Sequence, residues 1–188
     1  MKKIYLIAAC TIALLSACKS PKTMQQATGE FEIKIPLDGK EYQTNKEFFR
    51  AKGEGVSPDV PTSKKIALLN AKSELASTVK TTIKKVSDNY TNQRSVSEKK
   101  EFENKFEELV REVVNTNLED VTMIGEKLFK DPKTGFYTYY VAIEMNKNAI
   151  LEGIAKKISN AESLKLDFDK MKYEKTLNEE MDKFEKGQ

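Results

Sequence analysis

From Thr62 to about Tyr90 the chain runs without a single Gly or Pro, the two residues that most often punctuate local structure. Within that run Leu68, Leu75, Val79, Ile83, Val86 and Tyr90 recur at helical spacing, so the stretch predicts one long helix with a continuous apolar stripe. The small residues Ala67, Ala71 and Ala76 on the same helix suit close packing on a sheet. Just before it, Glu47 to Gly55 reads as a short strand. Phe49, Ala51 and Gly53 share one face and Arg50, Lys52 and Glu54 the other, because strand side chains alternate. The apolar face tapers from Phe to Ala to Gly, and a bare Gly53 lets a helix backbone come close. Gly55 and Pro58 are expected to break the strand, and Val56 to Pro61 to turn the chain. Asp59 is then the expected N-cap and Pro61 suits the first helical turn.

The rest of the chain reads as cover for this helix. Phe31 to Ile35 alternates and predicts an edge strand ended by Pro36, with a turn at Leu37-Asp38-Gly39-Lys40. Ser95-Val96-Ser97-Glu98 fits a capping box. A second helix to about Thr116 would bury Phe102, Phe106, Leu109, Val110, Val113 and Val114. Val121–Lys130 and Phe136–Met145 form a hairpin across Asp131-Pro132-Lys133-Thr134-Gly135, a link rich in turn formers. Tyr137, Tyr139, Val141, Ile143 and Met145 are its expected core face. Asn146 to Ile158 reads as a third helix burying Ile150, Leu151, Ile154 and Ile158. From about residue 160 a charged helical extension follows, capped by Asn160, with Leu177, Met181 and Phe184 spaced to pack. The expected fold is α+β: a small antiparallel sheet on a long central helix, in the order strand–helix–helix–strand–strand–helix, with a charged C-terminal helix.

The run Phe49-Arg50-Ala51-Lys52-Gly53-Glu54-Gly55, then Ser57-Pro58-Asp59, then Ala67-Leu68-Leu69-Asn70-Ala71-Lys72-Ser73-Glu74-Leu75-Ala76 resembles the LPP20 lipoproteins. The resemblance covers about thirty residues. It implies a small bacterial envelope lipoprotein with a compact strand–helix–strand–strand domain similar to the dodecin and SHS2 types. On this resemblance Phe49, Gly53, Gly55, Pro58 and Asp59 form a structural motif, and no catalytic residue is carried over.

The first residues point to the same compartment. Lys2 and Lys3 precede an apolar run from Ile4 to Leu15. A membrane-spanning helix needs about 20 such residues, so this run has the length of a signal peptide's core instead. It ends in Leu15-Ser16-Ala17-Cys18, which matches the bacterial lipobox. The resemblance implies cleavage before Cys18 and lipid on its sulfur. Residues 1–17 are then a signal peptide. Residues 18–30 are the lipidated Cys and a polar, period-free tether. Residues 31–188 are one α+β domain with its helical extension. Lys19 follows the Cys and the first acid is Glu30. In similar lipoproteins this pattern implies the outer membrane, on its periplasmic face.

Composition removes most chemistries. There is no histidine, and Cys10 and Cys18 are the only cysteines. Histidine-dependent nucleophiles and zinc sites are excluded, and thiol catalysis goes with Cys18 if it carries lipid. Gly53-Glu54-Gly55 before a helix lacks the remaining residues of a phosphate loop and reads as structural. Of the 32 Lys and Arg two lie in the leader, against 29 Asp and Glu, so the cleaved chain is nearly neutral and nothing points to nucleic acid. Tyr137, Tyr139 and Tyr140 are the candidate ligand or partner surface, although aromatics are simply favoured in strands. The expectation is a non-enzymatic protein with no catalytic residue, metal or cofactor. Its partners would be the membrane, through the lipid, and either an envelope protein or further copies of itself. The alternative is a module that holds a small apolar or aromatic ligand between helix and sheet.

Overall fold

The computed structural model describes residues 32–92, 99–161 and 169–186. Contacts divide the chain into Met1–Ile33, of which only residues 32 and 33 are described, and Lys34–Gln188, which holds every element below. Those elements are β1 (Phe48–Ser57), α1 (Val60–Asn92), α2 (Lys99–Asn117), β2 (Thr122–Lys130), β3 (Tyr137–Asn146), α3 (Lys147–Ser159) and α4 (Lys170–Glu185). This is an α+β fold in the expected order. The sheet order is β1-β3-β2, antiparallel throughout. No described helix is long and apolar enough to cross a membrane.

The β1–α1 unit is closer-packed than its sequence suggested. Phe49 and Ala51 are buried against α1. At Gly53 a Cβ would lie 2.1 Å from the Ala67 carbonyl oxygen and 2.4 Å from the Ala71 nitrogen. At Gly55 it would lie 2.1 Å from the Ser63 carbonyl oxygen and 2.5 Å from the Ala67 nitrogen. Gly55 therefore does not break the strand, which runs on to Ser57; it is the second of two points where helix and strand backbones touch. The two elements mesh because four helix residues advance about 6 Å and two strand residues about 6.8 Å.

α1 starts two residues earlier than predicted, at Val60, and only Pro58 and Asp59 link it to β1. The Asp59 carboxylate accepts the Thr62 N–H at 2.9 Å and the Ser57 hydroxyl at 3.1 Å. The Thr62 bond, ahead of the others, holds Asp59 below the usual carboxylate range. Along α1 the fully buried apolar residues are Ala67, Ala71, Leu75, Val79, Ile83 and Val86. Leu68, expected in that stripe, is only partly covered, because the two alanines take the position nearest the sheet. The side chains of Tyr90 and Phe102 and the capping box at 95–98 lie outside the described residues.

Beyond the sheet, α1 packs on α2 and α4, and α2 on α3. Phe106 of α2 meets Tyr173 of α4 edge to face at 5.5 Å. α3 is capped by Asn146, whose side chain accepts the Asn148 N–H at 2.7 Å. Asn160 ends α3, and residues 162–168, the expected start of the next helix, lie outside the described residues. α4 takes Asp169 as its cap, through the Lys172 N–H at 3.2 Å. Tyr173, Leu177 and Met181 bury the apolar side of α4, while Phe184, expected inside, is exposed.

The sheet's other face carries a cover that the sequence did not predict. Residues 32–35 form no strand, and Ile33 and Ile35 are 70% and 57% exposed. The chain enters the fold at Leu37, which is buried with φ 56°. A Cβ on Gly125 of β2 would strike the Tyr42 ring at 2.6 Å and the Leu37 side chain at 3.2 Å. Asp38 pairs with Lys52 and Arg50 with Glu144, each at 2.9 Å. Ala142 of β3 is fully buried as a result, so the central strand is covered on both faces at that point.

Candidate functional site

The register places Glu126 opposite Val141, Leu128 opposite Tyr139 and Lys130 opposite Tyr137. Directly opposed residues share a face, so Met123, Glu126, Leu128 and Lys130 lie on the side of the sheet that carries α1. α1 packs on β1 and β3, and its cover thins out at β2. Met123 and Leu128 stay 38% and 47% exposed. Lys64 marks the border of the covered region. It pairs with Glu126 at 2.9 Å, and its Nζ lies 5.2 Å from the centre of the Tyr139 ring. The Tyr139 hydroxyl donates to the same Glu126 oxygen. That hydroxyl first, and Lys64 second, hold Glu126 below its ordinary range. The Tyr139 hydroxyl and then Glu126 hold Lys64 above its own.

The three tyrosines do not form one cluster. Tyr139 is buried, and its ring and hydroxyl are occupied by Lys64 and Glu126. Tyr137 shares its face, half-buried, with Lys130 Nζ 5.1 Å from its ring centre. Tyr140 points to the opposite face and packs edge to face on Phe129 at 5.6 Å. Burial, and then Glu54, push its hydroxyl up. Lys64 and Glu126 were not anticipated. They are far apart in sequence, and two charged residues among so many carry no signal until the fold joins them.

β2 is also an open edge. Asp131 N–H bonds to the Phe136 carbonyl and Lys147 N–H to the Glu47 carbonyl. Antiparallel pairs alternate between bonded and non-bonded, so odd residues of β3 bond to β1 and even ones to β2. By the same alternation Lys127 and Phe129 bond to β3, while the N–H and C=O groups of Glu126, Leu128 and Lys130 point outward. The free edge of β1 is blunted: Thr44 Oγ1 bonds to both the N–H and the C=O of Arg50, and Asn70 donates to the Glu54 carbonyl. Among the described residues nothing does this for β2.

No protein-family model, curated protein or solved structure matches this chain. Among the described residues no three His, Cys, Asp or Glu side chains come together to hold a metal ion. One depression, of about 250 Å³, lies between α1 and α2, lined by Lys80, Ile83, Lys84, Glu103, Glu107 and Arg111. It is away from the tyrosines and mixes both charges. Cys18 and its lipobox partners Leu15, Ser16 and Ala17 lie outside the described residues.

Proposed function

We propose that this chain is a lipid-anchored protein of the bacterial outer membrane. Its α+β domain faces the periplasm and acts by binding other proteins rather than by catalysis. The observation that carries the anchor is Leu15-Ser16-Ala17-Cys18 at the end of an apolar run too short to span a membrane. Two or three acyl chains at about 0.8 kcal/mol per buried methylene hold firmly where one chain does not. The motif from Phe49 to Ala76 is the basis for proposing kinship with the LPP20 lipoproteins. Two features favour a binding role: the composition lacks the usual nucleophile–base pairs, and Met123 and Leu128 on β2 are left to solvent. A ligand held between helix and sheet finds little room at Gly53 and Gly55, where the backbones themselves meet.

Labelled fatty acid should enter the wild-type protein and not Cys18→Ser; equal labelling of both overturns the anchor. Protease added to intact cells should leave the domain whole, and rapid cleavage would place it on the cell surface instead.

A further inference from the structure

We infer that β2 is the contact between two copies of this chain, paired antiparallel about a two-fold axis at Leu128. Three observations meet there. The outward backbone groups of Glu126, Leu128 and Lys130 have no partner among the described residues. Leu128 leaves apolar surface exposed on the helix side of the same strand. The charges along the strand are complementary to their own mirror order.

Counting outward from Leu128, Glu126 of each copy lies opposite Lys130 of the other on the helix side. On the other face Lys127 lies opposite the other copy's Phe129 ring, a favourable cation–aromatic pairing. An axis at Glu126, Lys127 or Lys130 sets like charges face to face, which destabilises a strand pair. One at Phe129 sets Lys127 opposite Asp131 but leaves Leu128 opposite Lys130 and Glu126 opposite Pro132, which has no N–H to give. The axis at Leu128 pairs outward-pointing groups with outward-pointing groups, so each copy supplies donors and acceptors in step. The pairing runs from Gly125 to Asp131 and stops at Pro132, which has no N–H to give.

Both side chains keep room for a further partner. Glu126 Oε2 is engaged by Lys64 and Tyr139, and Oε1 has no partner among the described residues. Lys130 lies over the Tyr137 ring and has no carboxylate partner among the described residues. Charged edges and bulges often protect a strand from pairing. Here the bulge lies between Met123 and Gly125, outside the paired stretch, and the charges attract rather than repel. The result is a continuous six-stranded sheet, with two Leu128 side chains meeting where α1 leaves the sheet open.

The test is disulfide trapping of the full chain in detergent. Bonded antiparallel partners have Cα atoms about 5.5 Å apart, inside the roughly 4.4–6.8 Å that a disulfide accepts. Leu128→Cys should give a product of twice the chain mass under mild oxidation, at least fivefold above the unsubstituted chain. Leu69→Cys, on the exposed side of α1, should stay at that background. Adding Lys130→Glu to Leu128→Cys should cut the yield severalfold at low salt. The inference is overturned by background yield from Leu128→Cys, by equal yield from Leu69→Cys, by a yield that ignores Lys130→Glu, or by a linked product of any other mass. Stronger self-linking at Glu126→Cys or Lys130→Cys overturns the register. Trapping does not depend on the anchor, so this experiment and fatty-acid labelling fail separately.

Discussion

A methyl group added at Gly55 would sit 2.1 Å from the Ser63 carbonyl oxygen, and one at Gly53 2.1 Å from that of Ala67. Backbone cannot swing aside as a side chain can, so α1 would have to lift. Gly55→Ala should therefore lower stability by about 1–3 kcal/mol, as overpacking does, and Gly53→Val at least as much. Gly135→Ala is the contrasting case. Its Cβ would meet open space at φ +76°, so only the left-handed backbone is strained, by roughly 1–2 kcal/mol. Urea melts of the three would rank them. A Gly55→Ala protein that melted with the parent would mean that helix and strand stand further apart than described. Lys52→Ala, which loses an exposed ion pair with Asp38, should change stability by less than about 0.5 kcal/mol. The taper Phe49, Ala51, Gly53 was legible because its period is two. Gly55 was misread because a glycine near a strand end usually signals a stop, and only the helix above it shows otherwise.

At the scale of elements, α1 packs on β1, β3, α2 and α4, and its burial is uneven along its length. Leu75→Ala, fully buried, should cost about 2–5 kcal/mol; Leu68→Ala, partly exposed, should cost clearly less. Equal losses would place Leu68 back in the core. The start of α1 adds a pH dependence. Asp59 has a lowered folded value because Thr62 N–H bonds to its charged form. Its contribution is therefore complete above the usual carboxylate range, near pH 4, and is lost as the pH falls through the lower folded value. Glu126 acts in the same direction through Tyr139 and Lys64. Asp59→Asn keeps a capping oxygen and removes the titration, so its stability should fall less steeply below pH 4 than the parent's. Parallel acid profiles would show that the cap carries no charge-dependent part. Helix positions were legible from periodic apolar residues, and their ends less so. Asp169 caps α4, but nothing local sets it apart from the other good cap residues of that segment.

Taken as a whole molecule, the sheet is covered on one face by α1 and, near its middle, on the other by the segment from Leu37 to Thr44. That second cover has no period and so left no trace in the pattern of residues. Its anchor is the Tyr42 ring on Gly125. Tyr42→Ala should lower stability by about 1 kcal/mol through lost apolar burial, with a fall in melting temperature that circular dichroism would read. An unchanged melt would make the segment a passive neighbour of the sheet. The uncovered side of β2 was equally hidden. Its alternation was plain, but how far one helix reaches across three strands is settled only in three dimensions. The open edge also leaves a signature in time. Along β2 the amides of Lys127 and Phe129 are tied to β3 while those of Glu126, Leu128 and Lys130 face water, so deuterium uptake in a lone copy should alternate residue by residue. A strand paired on both sides would lose that alternation.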